Sequence, residues 1–75
     1  MRQYLYTLQV YRAATDERNL FIIYAVDDID AMKKAKRRVE DHRSVEMTLR
    51  RCEGHFTAGH REYPPYIDME DGLVS

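Results

Sequence analysis

The sequence predicts a small α+β domain with the order β-β-α-β and room for one further strand. Three stretches of the 75-residue chain indicate this: polar–apolar alternation over residues 3–12, a continuous apolar run over residues 20–26, and a helical spacing of apolar residues from 28 onward. One amphipathic helix packs on only one face of a small sheet, so the other face is left open to solvent or to a partner. We assign the domain to residues 1–60 and an extended acidic C-terminal tail to residues 61–75.

The first two predicted strands form a hairpin. In residues 3–12 every second side chain is apolar, namely Tyr4, Tyr6, Leu8 and Val10. Residues 13–19 are mostly polar and too many for a two-residue turn, which predicts a loose, exposed loop. Residues 20–26 are rich in β-branched and aromatic side chains, which indicates a strand covered on both faces or one with a contact patch on one face, and we expect this strand at the centre of the sheet.

The helix is predicted to run from Asp28 to about His42. Asp27 precedes it as the N-cap residue, and Asp30, three positions later, resembles the second member of a capping box. On a helical projection the apolar side chains lie within one arc of about 160°, which predicts the buried face; they are Ile29, Ala31, Met32, Ala35 and Val39. Alanines bury little area, so we expect Met32 and Val39 to supply much of the contact with the sheet.

Residues 44–52 are predicted to form the third strand, because Val45, Met47 and Leu49 alternate with polar residues. This strand either lies parallel to the second strand or pairs on the outer edge of the first, and the sequence leaves both positions open. Residues 55–58 form a short fourth strand or irregular chain. Beyond Gly59 no periodicity is present, and the prolines at 64 and 65 impose an extended course.

Charge is distributed unevenly along the chain. The net charge is −1, but residues 1–61 hold all 12 Lys and Arg against 9 acidic residues, whereas residues 62–75 hold 4 acidic residues and no basic one. The predicted body therefore carries +3 and the end of the chain −4. An acidic tail keeps a small chain soluble, and it can also shield a basic surface from polyanions.

The composition predicts a soluble protein of a reducing compartment. Cys52 is the single cysteine, so an intramolecular disulfide is excluded. The first residues lack the apolar stretch of a signal peptide, and the longest apolar run is far shorter than the ~20 residues that span a bilayer. We expect a cytoplasmic location in a bacterial host cell and no association with a membrane.

Cys52, His55 and His60 form the closest group of metal-ligating side chains in the sequence. A structural zinc site needs four ligands, and the fourth, His42 or Asp41, has to come from across the fold. The alternative is a half-buried thiol beside surface imidazoles, which needs no further residue and is favoured. We therefore predict no metal and no cofactor.

Catalysis by the same residues is disfavoured. A Cys–His pair needs a lowered thiol pKa and a third, orienting group, and only Arg50 and Arg51 lie beside Cys52. The sequence has no glycine-rich phosphate loop and no paired-carboxylate motif, and 75 residues leave no room for a deep pocket. We predict no catalytic residues and a non-enzymatic function.

The predicted helix has a basic surface made by five cations within six positions. Lys33, Lys34, Arg37 and Arg38 lie on its solvent side, with Lys36 between them in the sequence. Such a surface can follow a phosphate backbone, or it can face an acidic patch on a protein and speed association. It can also be an ordinary solvated face supported by ion pairs at i,i+4, such as Asp30–Lys34.

Tyrosine is the second candidate for binding, with six residues in the chain and no tryptophan. Tyrosine is enriched at interfaces because it offers a large contact area and one polar tip at low entropic cost. Tyr11 is placed by the alternation on the face of the first strand opposite to Tyr4 and Tyr6, beside Thr7 and Gln9. We therefore predict Tyr11 as a binding residue on the open face, where it can contact a protein or stack on a base.

The hairpin, the helix opening Asp27-Asp28-Ile29-Asp30-Ala31 and the strand Val-Glu-Met-Thr-Leu occur in the order found in some very small proteins. Over residues 3–53 the layout resembles the β-β-α-β proteins encoded by phages and other mobile elements, a set that includes some anti-CRISPR proteins. The resemblance implies stoichiometric binding to a host protein or nucleoprotein complex, as an inhibitor or adaptor. The alternative is a small domain that binds nucleic acid directly through the basic helix. Either can be a monomer or a homodimer.

Overall fold

The computed structural model describes residues 1–68, and over this range it confirms the α+β class. The elements follow in the order β1 (Arg2–Arg12), β2 (Glu17–Ala25), α1 (Asp28–Arg38), β3 (Glu46–Arg51), β4 (Phe56–Ala58), β5 (Arg61–Tyr63) and β6 (Tyr66–Asp68). A single 3₁₀ turn, His42–Ser44, precedes β3. All strand pairs within the described range are antiparallel.

The centre of the sheet is β1, not the apolar second strand as we predicted. One edge of β1 pairs with β2 along nine residues. The other edge pairs with β3 over Tyr6–Tyr11 and with β6 over Arg2–Tyr4, so that these two strands lie end to end. Of the two positions left open for the third strand, the observed one is the outer edge of the first strand. The 11-residue length of β1 explains its place, because it can hold three partners at once.

The loop between β1 and β2 is shorter than predicted. Arg12 pairs with Glu17, which leaves only the four residues 13–16 between the strands. Asp16 closes this loop with a φ of 52°, in the left-handed region. Asp is among the few side chains that adopt this conformation readily. The loop is therefore a defined turn, and β2 begins three residues before the predicted position.

The predicted N-cap of α1 is confirmed. The carboxylate of Asp27 accepts a hydrogen bond from the Asp30 amide at 2.8 Å, and the Asp30 carboxylate in turn accepts one from the Val26 amide at 3.2 Å. The helix ends at Arg38, four residues before the predicted end, because Val39 adopts an extended conformation and buries its side chain. Its extended backbone cannot continue the helical hydrogen bonds, although the Val39 amide still donates to the Ala35 carbonyl at 3.0 Å.

The core lies between α1 and one face of the sheet. Its helical part is a narrow stripe of Ala31, Ala35 and Val39, each at most 4% exposed. The sheet contributes the buried side chains Tyr6, Leu8, Val10, Ile23 and Ala25. Our prediction that Ile29 and Met32 belong to the buried face is wrong, since they are 70% and 37% exposed.

The second face of the sheet is covered only at one end. There Leu5 is fully buried opposite Tyr24, whose hydroxyl donates to the Pro64 carbonyl at 2.8 Å. The Leu5 amide donates to the Pro65 carbonyl at 3.0 Å, which places the chain around residues 64–65 beside this strand. Towards the β1–β2 turn the same face is open.

The predicted tail boundary at residue 60 does not separate the described chain into a body and a tail. β5 pairs with β4 across a two-residue turn that starts at Gly59, where φ is 63°. β6 pairs with the first residues of β1. Residues 61–68 are thus extended, as predicted, but they are part of the fold; residues 69–75 of the predicted tail lie outside the described residues.

Candidate functional site

The most distinctive surface of the molecule lies on the exposed side of α1. Ile29 and Met32 are one helical turn apart and exposed, and Lys33 and Lys36 follow them at i,i+4 on the same side of the helix. These four residues, which we call the helix patch, line a shallow open concavity with Asp28 at its rim. Within residues 1–68, neither lysine has a carboxylate within ion-pair distance. The helix patch therefore combines an apolar centre with two free positive charges.

Lys34 explains why the apolar arc of the helix is not fully buried. Its Nζ donates to the Tyr24 carbonyl on β2 at 2.8 Å and lies 3.2 Å from Asp30 Oδ2. The hydrogen bond from the Val26 amide, followed by Lys34, lowers the pKa of Asp30. This contact fixes the flank of α1 that carries Lys34 against β2. Ile29 and Met32, which lie on the opposite flank, are thereby kept out of the core.

The four predicted helix cations differ in their contacts and do not form one continuous free surface. Lys33 and Arg37 are both exposed, and neither has an ion pair with any other described residue. Lys34 is held between helix and strand. The Arg38 guanidinium lies over the Phe21 ring of β2, 5.2 Å from its centroid. Within residues 1–68, the helix cations without such a contact are Lys33, Lys36 and Arg37, and the role of the basic surface in binding stays a prediction.

Tyr11 lies on the open face of the sheet, on the side away from α1. Its hydroxyl donates to Asp16 Oδ1 at 3.0 Å, and the Arg18 guanidinium lies 5.1 Å from its ring centroid. An open concavity of about 530 Å³ lies beside it, between Leu20 and Glu46. The structure thus does not bring Tyr11 and the helix cations together, because the sheet separates them.

Beneath the edge of the helix patch, one hydrogen bond ties α1 to β1. The Tyr6 hydroxyl donates to Asp28 Oδ1 at 2.7 Å. Burial of the phenol, with further contributions from this bond and from the Asp28 charge, raises the pKa of Tyr6 from 10.0 to about 12. The phenol stays neutral and keeps donating at any physiological pH. This bond positions the first turn of α1, and hence Ile29, on the sheet.

The sequence analysis missed a layer of arginine–tyrosine contacts at the opposite end of β1 from its turn with β2. The Arg51 guanidinium lies 4.0 Å from the Tyr4 ring centroid, and that of Arg2 lies 4.2 Å from the Tyr66 ring centroid. Arg2 also contacts Asp68 at 3.3 Å. These arginines are therefore structural cations of the fold. No sequence signal links Arg2 to Tyr66, which is 64 positions away.

Cys52, His55 and His60 do not converge on one point. The Cys52 thiol donates to the Gly54 carbonyl at 3.2 Å. His55 Nε2 lies 3.9 Å from Glu62 Oε1 in an exposed pair, and His60 lies in the exposed turn between β4 and β5. Within residues 1–68, no group of three or more Cys, His, Asp or Glu side chains is arranged to hold a metal ion.

No known family model, curated protein or solved structure matches this chain. The resemblance to phage-encoded proteins therefore stays a prediction, and function has to be inferred from the surface chemistry. In the described part of the chain, none of the helical structure is long and apolar enough to cross a membrane.

The helix patch could have been found in the sequence by comparing two stripes on the same helix. Ala31, Ala35 and Val39 recur every four residues and make a complete buried stripe by themselves. Ile29 and Met32 are then surplus apolar residues on one flank. Surplus apolar residues bordered by lysines are typical of a contact surface rather than a core.

Proposed function

We propose that this chain is a small, non-enzymatic binding protein that attaches to an acidic protein surface through the helix patch. The observation that carries this proposal is the 70% exposure of Ile29, in a concavity that Lys33 and Lys36 also line. An exposed β-branched side chain gains free energy when another protein covers it. Free cations around it favour a partner with carboxylates around an apolar pocket, because they speed encounter and fix orientation.

A protein partner is favoured over nucleic acid by the same surface. Phosphate backbones offer no apolar group to cover Ile29 and Met32. Lys34 is held against β2, which leaves four exposed cations on the helix, and neutralising four phosphates gives a slope of log affinity against log salt of only about −4. Proteins that bind duplex nucleic acid tightly make more phosphate contacts than this.

The mode of action that fits a body of this size is stoichiometric occupation of a partner's surface, as an inhibitor or adaptor. We propose the class of small phage or mobile-element proteins that block or divert a host complex, the anti-CRISPR proteins among them. The location in which this binding takes place is the cytoplasm of a bacterial host. The proposal requires no cofactor and no catalytic residue.

The test is capture from a bacterial lysate with immobilised wild-type chain and with an Ile29→Ser/Lys33→Glu variant. The matched control is Arg43→Glu, which reverses a charge on the exposed 3₁₀ turn away from the helix patch. We expect one discrete protein complex on the wild-type chain and on the control, and its loss from the patch variant. Identical capture by all three chains, or recovery of nucleic acid that nuclease removes, contradicts the proposal.

A further inference from the structure

The outer edge of β2 is an unpaired strand edge within residues 1–68. The orientation of its backbone groups follows from β1. The backbone amide and carbonyl of Leu5 both point away from β2. The amide donates to the Pro65 carbonyl, and the carbonyl accepts from the Cys52 amide. In an antiparallel sheet this orientation alternates along the strand, so the neighbouring residues Tyr4, Tyr6, Leu8 and Val10 bond to β2.

On β2, the residues that face outward are therefore those between the bonded ones: Arg18, Leu20, Ile22 and Tyr24. The Tyr24 carbonyl confirms this, because it accepts from Lys34 Nζ and not from a strand. Lys34 thus closes the edge at one end, a common way in which proteins protect an edge strand. The backbone groups of Arg18, Leu20 and Ile22 are left open for pairing.

We propose that the edge of β2 pairs antiparallel with β2 of a second copy of this chain, centred on Leu20. A two-fold axis then places Leu20 opposite Leu20 of the second copy, and Arg18 opposite its Ile22. A register shifted by two residues towards Ala25 brings Arg18 opposite Tyr24 of the second copy, whose carbonyl Lys34 already occupies. The Leu20-centred register is the longest ladder that leaves this contact intact.

Charge complementarity favours a second copy as the occupant. On the helix side of the sheet, this register places Glu17 diagonally across from Phe21 of the second copy, within the reach of a long side chain. The Arg38 guanidinium lies over that phenylalanine ring. Neither Glu17 nor Arg38 has an ion pair within the described residues, and the two-fold axis brings them together twice.

Apolar contact on the other side of the sheet favours the same occupant. Leu20 is 44% exposed in the single chain, and the two-fold axis covers it with its own copy. The helix patch lies on the flank of α1 that faces away from β2, so the dimer leaves both copies of it free. Self-association is therefore independent of the proposed function and would present two binding surfaces.

The test is sedimentation analysis of the full chain from about 10 µM to about 1 mM, a range that detects weak dimers. We expect Glu17→Arg and Arg38→Glu each to raise the dimer dissociation constant about tenfold, because two repulsive contacts replace two attractive ones. The double variant E17R/R38E restores the pairing and should return the dissociation constant to near the wild-type value. Far-ultraviolet circular dichroism of each variant checks that the fold is retained.

Disulfide trapping provides a second measurement that does not depend on the charges. In a Cys52→Ser background, Leu20→Cys should form a covalent dimer under mild oxidation, while Arg50→Cys, on β3 across the sheet, should not. A wild-type chain that remains monomeric at all concentrations overturns the proposal. So does a dimer whose dissociation constant none of the charge variants changes, since its interface lies elsewhere.

Discussion

Among individual side chains, Tyr6 makes the partly buried hydrogen bond that positions the first turn of α1. Replacing Tyr6 by Phe removes the hydroxyl that donates to Asp28 but keeps the ring in the core. We expect the free energy of unfolding at neutral pH to fall by about 1.5 kcal/mol, the low end for hydrogen bonds to charged groups, because Asp28 is exposed. Urea denaturation followed by circular dichroism measures this change.

The same substitution predicts a specific pH dependence. The fold stabilises the neutral phenol, so the pKa of Tyr6 rises from 10.0 to about 12 on folding. Its contribution is fully present below pH 10 and is lost as the pH rises from 10 towards 12. The difference in unfolding free energy between wild type and Tyr6→Phe should therefore shrink in this window. A difference that stays constant up to pH 11 contradicts the assignment.

Asp16 has two roles that can be separated by substitution. Its φ of 52° costs most residues about 1 kcal/mol or more, and its carboxylate accepts the Tyr11 hydroxyl. We expect Asp16→Ala to lower the unfolding free energy by about 1 to 2 kcal/mol, Asp16→Gly to lower it less, and Asp16→Asn least. Thermal unfolding of the three variants measures the order, and Ala as stable as Asn would show that the turn is not strained.

Between elements, Lys34 is the cation that joins α1 to β2. We expect Lys34→Ala to lower the unfolding free energy by about 1 kcal/mol, because the Tyr24 carbonyl loses its donor and Asp30 loses its ion pair. The matched change Lys33→Ala, on the exposed side of the same helix, should be neutral within about 0.5 kcal/mol. Equal effects of the two substitutions would contradict a structural role for Lys34.

The stability in acid tests the same contact through Asp30, the ion-pair partner of Lys34. Because its partners lower the pKa of Asp30, the contribution of Asp30 is present above pH 3.8 and is lost as the pH falls through the folded-state value. We expect Asp30→Asn to be less stable than wild type at neutral pH and to approach it in acid. Parallel stability curves for the two chains over pH 2–6 would contradict this.

The elements that the sequence predicted well are those fixed by local interactions. The N-cap at Asp27 and the first strand could be predicted because a carboxylate three positions from an amide and a period of two are local signals. The centre of the sheet could not. The apolar run over residues 20–26 indicated either two covered faces at the centre of the sheet or a contact patch on one face, and Leu20 lies exposed on the open face of an edge strand. The helix patch was not predicted for a related reason. The apolar arc of a helix does not show which of its residues the sheet covers.

In the whole molecule, the least predictable part is the return of residues 61–68 to the start of the chain. Strands of three residues have no periodicity to detect, and the partner of Asp68 is Arg2. The acidic composition favoured a solvated tail instead. Pairing across this sequence distance depends on the tertiary structure of the rest of the chain. Without residues 61–68, the edge of β1 at Arg2–Tyr4 has no partner strand and Leu5 is uncovered.

The last prediction concerns residues 61–68, the segment that returns to β1. A chain of residues 1–60 lacks the strand that pairs with Arg2–Tyr4, the acceptor of the Tyr24 hydroxyl and the backbone partner of Leu5. Leu5 is fully buried, and exposing such a side chain alone costs about 1.5 to 3 kcal/mol, a large share of the stability of a small domain. We expect residues 1–60 to melt at least about 6 °C below residues 1–68, since 1 kcal/mol shifts a domain of this size by about 4 to 8 °C. Circular dichroism of the two chains measures this difference; melting temperatures within 2 or 3 °C of each other would show that residues 61–68 are an appendage rather than part of the fold.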